Sequence, residues 1–316
     1  MSGTTIGRNG AGFRHEALFY DGPIDFVDRT AGFIRDAREA DEPILVVVRA
    51  EKIDALRDEL GTDDGVRFAD MADVGTNPAR IIPAWREFVD EQGGSTRRFR
   101  GIGEPIWLER PPEELVECER HEALLNLAFD GSPAWWLACP YDVGALPATV
   151  LEEARRNHPF VDERGGPRAS RSYRGLADVA SPLDLPLTEP GEVNTEHVFG
   201  SSSASLASVR DVVLRAAAEA GLDAAGRDDL VLAAHEVASN SVRHGGGTGS
   251  LRLWWQDDTF VCEISDSGRI EDPLAGRRRP SAGDAGYGLW LANQLCDLVQ
   301  IRTFPRGSVV RLHVRR

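Results

Sequence analysis

A proline-rich interruption near the middle of the chain constrains its folding more than any other feature. The segment 178–196 reads DVASPLDLPLTEPGEVNTE and shows neither helical nor strand periodicity. Its interrupting residues are Pro182, Pro186, Pro190 and Gly191. A chain of 316 residues exceeds the ~100–200 residues of one domain. We therefore predict two α/β domains, residues 12–178 and 197–316, joined by a linker at 179–196.

The charge balance limits the partners of such a chain. Acidic residues outnumber basic ones, and the formal net charge is −15. The excess lies outside residues 197–316, which hold 14 arginines and 14 acids. Negative charge argues against nucleic acid or an anionic membrane as the main partner. Because Lys52 is the only lysine, a phosphate-binding loop that ends in Lys-Ser/Thr cannot be present.

Cysteine spacing and hydropathy indicate the compartment. The four cysteines lie 20 or more positions apart, which excludes a Cys-x-x-Cys metal or redox pair; they are Cys118, Cys139, Cys262 and Cys296. The first residues, MSGTTIGRNG, lack a signal pattern. The longest aliphatic run, residues 44–48, falls far short of the ~20 residues that span a bilayer. We therefore expect a cytoplasmic protein with no membrane association.

The first domain alternates strand and helix patterns. Apolar runs predict strands at 15–20, 44–48, 66–69 and 134–139, and amphipathic segments predict helices at 24–40, 51–60, 78–91 and 112–129. This alternation of strands with helices predicts a mostly parallel sheet covered by helices.

The second domain has a different pattern. Helices are predicted at 205–221, 226–244 and 288–296, a hairpin at 250–256 and 259–265, and closing strands at 298–304 and 308–314. Helices on one side of an antiparallel-rich sheet make an α/β two-layer sandwich.

A carboxylate and an amide stand one turn apart on the second of these helices. Glu236 and Asn240 are spaced i, i+4, so both side chains project from one helix face. Their oxygens can hold a hydrated Mg²⁺ beside a phosphate chain. On spacing alone, a solvated helix face that ends at the glycines after His244 is the alternative interpretation.

Two further motifs follow in order. Asp266 and Gly268 end an apolar strand, where the carboxylate can accept a hydrogen bond from an aminopurine and the glycine lets a ring approach the backbone. Gly286, Gly288 and Leu289 open a helix, whose free backbone N–H groups form an anion site for phosphates. Taken singly, the first motif is also typical of a turn and the second of a flexible joint.

Together and in this order, the three motifs resemble the nucleotide-binding boxes of the GHKL ATPases, which include gyrase, histidine kinases and MutL. The short form resembles the anti-sigma-factor serine/threonine kinases and implies a Bergerat fold over 197–316 that binds ATP and Mg²⁺. By this resemblance Glu236 is the general base, Asn240 the Mg²⁺ ligand and Asp266 the adenine-recognising residue.

The same resemblance assigns further positions. Gly286, Gly288 and Leu289 lie on the phosphate side, and Gly268 lies beside the adenine. Arg210 stands where such kinases carry an arginine that faces the phosphorylatable serine of an antagonist, although an ordinary exposed arginine is the alternative. The sequence departs from the family pattern at Ile270, where a second glycine is usual. The triplet 277–279 (RRR) can reach a triphosphate or form a solvated loop.

The first domain resembles the MEDS sensory domain at its two ends. The matching segments are 12–20 (GFRHEALFY) and 137–142 (LACPYD), and the resemblance implies a RecA-like sandwich without a working phosphate loop and with a sensory role. His15 and Cys139 are interpreted as a hydrogen-bonded core histidine and a buried thiol, with a ligand contact as the alternative. His121 is interpreted as structural rather than as a phosphoacceptor.

The sequence therefore predicts a sensory domain that controls an ATP- and Mg²⁺-dependent serine/threonine kinase. The expected partners are a sigma factor and an anti-anti-sigma protein, and a homodimer is among the assemblies left open. The alternative is a non-catalytic module that keeps the ATPase fold to sequester a protein partner. An ATP-consuming metabolic enzyme is a third class, for which the sequence offers no recognisable substrate site.

Overall fold

The computed structural model describes residues 12–93, 97–176, 185–280 and 286–316. The chain forms two compact units, Met1–Leu183 and Asp184–Arg316. Residues 177–184, the first part of the expected linker and its immediate surroundings, lie outside the described residues.

The first unit is built on a seven-stranded sheet. Its strands are β1 (Phe13–Tyr20), β2 (Ile44–Val48), β3 (Val66–Asp70), β4 (Phe99–Gly103), β5 (Trp135–Asp142), β6 (Phe160–Asp162) and β7 (Pro167–Ala169). Its helices are α1 (Gly22–Glu39), α2 (Ala50–Leu60), α3 (Met71–Val74), α4 (Ile81–Glu91), α5 (Pro112–Ala128) and α6 (Ala148–Asn157), with a 3-10 turn at Pro78–Arg80.

The strand order is β3-β2-β4-β5-β1-β6-β7. All neighbours pair in parallel except β6 and β7, which pair antiparallel at the edge. Every residue of β2 is buried, as expected of a strand covered on both faces. The expected parallel α/β sheet is confirmed, and the structure adds α3, β4, α6, β6 and β7, which the sequence did not predict.

The one lysine of the chain lies at the carboxyl end of this sheet. Lys52 of α2 donates to both carboxylate oxygens of Glu104, each at 2.6 Å, and to Tyr20 Oη at 2.6 Å. Tyr20 Oη also donates to Glu104 Oε1 at 2.7 Å. Burial raises the pKa of Glu104, and the Lys52 ammonium opposes that shift. A buried carboxylate is thus held by one cation and one hydroxyl.

The second unit is a two-layer sandwich. Its strands are β8 (Thr195–Gly200), β9 (Thr248–Gln256), β10 (Thr259–Asp266), β11 (Leu298–Phe304) and β12 (Gly307–Arg315). Its helices are α7 (Ser203–Glu219), α8 (Ala224–His244) and α9 (Tyr287–Leu295). The strand order is β11-β12-β10-β9-β8, and each neighbouring pair is antiparallel.

Alternation along β10 divides the two faces of this sheet. Phe260, Cys262 and Ile264 point into the same apolar core as Val213 of α7 and Val237 of α8. The expected α/β two-layer sandwich is therefore confirmed. The strand β8 is an addition at the sheet edge, where the sequence showed no strand pattern.

The residues that precede β8 are fastened to the second unit. The Arg302 guanidinium donates through Nε to the Leu185 carbonyl at 3.1 Å, and Arg252 lies 3.3 Å from the Glu189 carboxylate. The Asn194 side chain accepts the Trp255 amide at 3.2 Å. Part of the segment expected as a linker thus packs against the sheet of the second unit.

None of the helices within the described ranges has the length and apolar character needed to cross a bilayer.

Candidate functional site

The helix α8 carries the two predicted acid and amide side chains. It begins at an N-cap, Asp223, whose carboxylate accepts the Gly226 amide at 2.7 Å. Its buried positions, such as Ala233 and Val237, face the apolar core. Glu236 and Asn240 lie beside that buried stripe and are half-buried. Neither side chain has a hydrogen bond or ion pair to another residue within the described ranges, so both are available to a ligand.

The start of α9 lies directly against these two side chains. A Cβ atom placed on Gly288 would stand 3.0 Å from Asn240 Nδ2 and 3.1 Å from Glu236 Oε2. A side chain here would force both groups to shift by a few tenths of an ångström, so glycine is the residue that permits this approach of backbone without displacement. Gly286 caps the helix with φ of 112°, a conformation that favours glycine. The first N–H groups of α9, which have no partner within the helix, therefore begin beside Glu236 and Asn240.

Asp266 lies at the last turn of α8. A Cβ atom on Gly245, the residue that ends α8, would stand 2.7 Å from Asp266 Oδ1. Asp266 Oδ1 accepts the Gly268 amide at 2.8 Å, while Oδ2 makes no hydrogen bond within the described part of the chain. Ser267 fixes the same corner, because its hydroxyl donates to the Gly245 carbonyl at 2.9 Å. Gly245 lies against Asp266, whereas the sequence indicated only that the helix ends there.

The predicted site residues thus separate into two groups. Glu236 and Asn240 both lie beside Gly288, and Asp266 and Gly268 meet the same helix about one turn further along. Leu289 contributes its backbone alone, because its side chain is buried in the apolar core. Arg210 is exposed on α7 and makes no hydrogen bond or ion pair within the described ranges.

The segment between the two motifs is partly built into the domain. Ile270, which replaces the usual second glycine, packs against the core, and its amide lies 3.3 Å from Thr303 Oγ1. Arg277 is buried, whereas Arg278 is exposed and lies 3.4 Å from Asp272. The arginine triplet is therefore not uniformly solvated. Residues 281–285 lie outside the described residues.

The side chains and backbone groups of this site are of types that bind a metal ion, phosphates and a purine. A carboxylate and a neutral amide oxygen are ligands that Mg²⁺ accepts while it keeps several waters. Free N–H groups at a helix start bind phosphate oxygens. The second oxygen of Asp266 is an acceptor of the type that an exocyclic amino group needs. These residues are therefore of the types that a magnesium-bound purine nucleotide requires.

The second unit has a GHKL-like fold. Residues 199–314 match the family of histidine kinase-like ATPase domains. Residues 14–159 match the MEDS family, the methanogen/methylotroph, DcmR sensory domain. Both resemblances drawn from the sequence are confirmed: the two family models match separate parts of the chain, each less than half of its length.

Several solved structures are similar over part of the chain. The RsbU and RsbW domains of Rv1364c from Mycobacterium tuberculosis align at 20% identity and a TM-score of 0.31, covering 40% of this chain and 32% of that one. The SiaB–SiaC complex from Pseudomonas aeruginosa gives 9% identity, a TM-score of 0.31 and coverages of 39% and 89%. The histidine kinase AdeS from Acinetobacter baumannii aligns at 14% identity and a TM-score of 0.23, covering 44% of this chain and 81% of that one. The chain thus spans about a third of the first of these proteins, and no curated protein matches it.

Proposed function

We propose that the chain is an anti-sigma-type regulator whose ATPase domain binds ATP with Mg²⁺ and phosphorylates a serine or threonine of an anti-anti-sigma partner. The observation that carries the proposal is the position of Gly288 beside both Glu236 and Asn240, whose side chains have no hydrogen bond or ion pair to any residue that the structure describes. The MEDS domain supplies the sensory input in this proposal, and a sigma factor is the second partner.

The residues have separate tasks. The Asn240 side-chain oxygen is the protein ligand of Mg²⁺, and the amides from Gly288 and Leu289 orient the phosphates. Asp266 holds the purine through its free carboxylate oxygen, while Gly268 leaves room for the ring. When bound, Mg²⁺ and ATP supply the transferable phosphoryl group and the charge that stabilises it.

Glu236 moves the proton. Its Oε2 atom lies against the start of α9, and in the proposal it accepts the hydroxyl proton of the partner's serine. General-base assistance of this kind contributes about 10²–10⁴ in rate. Arg210, exposed on α7, is proposed to contact the partner near that serine.

The decisive experiment compares binding with turnover in the full-length protein. ATP is titrated with and without Mg²⁺, and the intact mass of an anti-anti-sigma protein from the same organism is measured after incubation. We expect Glu236→Gln to bind ATP as the wild type does and to add one phosphate to the partner at a rate about 10²–10⁴-fold lower. The matched control, Glu219→Gln, changes an exposed carboxylate on α7 and should leave both readouts at wild-type values.

Two results would contradict this function. If wild-type protein binds neither ATP nor Mg·ATP, the nucleotide site is refuted. If it holds nucleotide and the partner but adds no phosphate, the kinase activity is refuted and the alternative, sequestration by a non-catalytic ATPase fold, stands.

A further inference from the structure

Four side chains with metal-ligating atoms meet inside the MEDS domain. His15 lies on β1, Glu122 on α5, Cys139 on β5, and His158 directly follows α6. Each is at most 1% exposed. One donor atom from each lies within 4.8 Å of the other three. The four residues, here termed the His–Glu–Cys–His cluster, come from positions up to 143 apart in the chain, so the fold alone assembles them.

The distances within the cluster match the edges of a small coordination tetrahedron. Glu122 Oε2 lies 3.1 Å from His15 Nε2 and 3.1 Å from His158 Nε2, and Cys139 Sγ lies 3.4 Å from His15 Nε2. Zinc bonds of about 2.0–2.1 Å to nitrogen and 2.3 Å to sulfur give tetrahedral edges of about 3.3–3.6 Å. Three of the six donor–donor distances therefore lie within a few tenths of an ångström of the tetrahedral values, and the other three are at most 4.8 Å.

The imidazole rings are oriented as metal ligands are. His158 Nδ1 donates to the Ala154 carbonyl at 2.7 Å, and His15 Nδ1 lies 3.1 Å from Asn126 Oδ1. The Asn126 amide nitrogen donates to the Asn157 carbonyl at 2.7 Å, which leaves its Oδ1 to accept from His15. With hydrogen on Nδ1, each ring directs the lone pair of Nε2 into the cluster. Metal-bound histidines almost always donate their second nitrogen in this way.

The described contacts bring two imidazoles and one carboxylate together in a buried space. When both imidazoles are neutral, as metal ligands are, they place two nitrogen lone pairs 3.1 Å from a carboxylate oxygen of Glu122. Within the described ranges, Glu122 Oε1 and His158 Nε2 make no hydrogen bond, and Glu122 has no arginine or lysine partner. Buried polar atoms without partners are costly, and a buried carboxylate needs a cation. A single ion bound by Glu122 Oε2 and both Nε2 atoms would supply that cation and would give His158 Nε2 a partner.

We propose that the His–Glu–Cys–His cluster binds one divalent transition metal ion, with Zn²⁺ the ion that fits the donors best. Two imidazoles, one thiolate and one carboxylate are established zinc donors, whereas Mg²⁺ and Ca²⁺ prefer oxygen alone. On binding, Cys139 loses its thiol proton to the buffer, and the charges of Zn²⁺, the thiolate and the carboxylate sum to zero. With four protein ligands and no solvent exposure, the site is of the closed, structural type.

The ion would join the central strands of the sheet to two covering helices. β1 and β5 are paired neighbours, and His15, Ala17 and Cys139 lie on one face of that pair. α5 supplies Glu122, and the end of α6 supplies His158. Loss of the ion would therefore loosen the contact of both helices with the sheet, which gives the sensory domain a metal-dependent state.

The test uses full-length protein and the metal ions alone. Protein prepared in zinc-supplemented medium is analysed for metal content, and metal-free protein is titrated with Co²⁺. We expect one zinc per chain, together with a tetrahedral Co²⁺ spectrum that includes a thiolate-to-metal charge-transfer band. Absence of stoichiometric zinc and of that band in the wild-type protein overturns the proposal and leaves a metal-free polar network. Zinc content and the Co²⁺ spectrum do not depend on ATP, so they test the metal site separately from the proposed kinase activity.

Variants locate the site. Cys139→Ser should remove the charge-transfer band, and the control Cys118→Ser should retain it, since Cys118 is a buried thiol of α5 that contacts the Pro105 carbonyl instead. Asn126→Ala should keep the band but weaken zinc binding about 10–100-fold, as loss of a partner to a metal-bound histidine does. An unchanged spectrum in Cys139→Ser overturns the assignment. If that variant does not fold, loss of zinc in soluble Asn126→Ala decides the matter, and unchanged zinc affinity there counts against the site.

Discussion

Replacing Gly288 by alanine tests the candidate nucleotide site at its tightest point. The added Cβ would stand 3.0 Å from Asn240 Nδ2, 3.1 Å from Glu236 Oε2 and 3.2 Å from Glu236 Cβ. Contacts this short are tighter than nine in ten real Cβ contacts, so the neighbours must shift by a few tenths of an ångström. Overpacking of this kind costs about 1–3 kcal/mol. Glu236 and Asn240 are half-buried and can rotate outward, so the loss should fall on ligand binding more than on folding.

We therefore expect Gly288→Ala to weaken ATP binding about 5- to 150-fold, the affinity equivalent of that energy. Isothermal titration of the full-length protein with Mg·ATP measures it, and denaturant unfolding reports any loss of stability. Gly32→Ala is the matched control, because Gly32 lies within α1 and an added Cβ there meets nothing within 4 Å. Wild-type ATP affinity in a folded Gly288→Ala protein would refute the assignment of Glu236 and Asn240 to the site.

Three further outcomes are expected. Asp266→Asn should weaken ATP binding by about 1–3 kcal/mol, because one half-buried carboxylate oxygen that can accept a hydrogen bond from the purine is lost. Titration with ATP measures this change. Lys52→Met should lower the free energy of unfolding by about 3–5 kcal/mol, because it leaves the Glu104 carboxylate buried without its cation. In urea unfolding, the double variant with Glu104→Gln should recover part of that loss. Burial and the Arg311 charge lower the pKa of His313 to about 3, so the unfolded chain binds a proton first as pH falls. Stability should drop from pH 6.5 towards 3, by about 2 kcal/mol at pH 5, and His313→Gln should flatten that profile.

Each of these expectations has a contradicting result. Equal ATP affinity of Asp266→Asn and wild type would remove the carboxylate from purine recognition. Additive effects of the Lys52 and Glu104 substitutions would show that the two side chains do not act as a pair. A pH profile of His313→Gln parallel to that of wild type would assign the acid sensitivity to other groups.

Periodicity located the apolar strands but missed β4, and the reason lies in its glycines. A Cβ atom on Gly101 would stand 2.7 Å from Trp85 Cζ3, and one on Gly103 would stand 2.9 Å from Trp85 Cζ2. The strand therefore carries glycine so that the Trp85 ring can lie against its backbone. In a single sequence, the pattern FRGIG indicates a turn rather than a buried strand.

β8 escaped prediction for a related reason. It is an edge strand, and only Phe199 among its six residues is buried. A Cβ atom on Gly249 of the neighbouring strand would stand 2.9 Å from Phe199 Cε2, so beyond its pairing with β9 the strand contributes one aromatic ring that packs on one glycine. Such a contact spans 50 residues and leaves no local pattern to detect.

The candidate nucleotide site was more accessible to sequence reasoning than the His–Glu–Cys–His cluster. Glu236 and Asn240 share one helix, so their spacing alone put them on one face. Nothing in the spacing of His15, Glu122 and His158 indicates that they meet, because strand order and helix placement bring them together. Glu122 directly follows His121 on α5, and it is Glu122 whose carboxylate contacts both imidazoles.

A single ε-amino group in a chain of this length allows one lysine to be followed by its chemical reactivity. Lys52 is the only lysine among 316 residues, and its ammonium group is held by Glu104 and Tyr20. An acylating reagent needs the free amine, which forms only when that contact opens and the proton leaves. The rate of Lys52 acylation, measured by mass spectrometry on one peptide, therefore reports how often this part of the first unit opens. Added metal or small molecules that tighten the domain would slow that reaction without any engineered label.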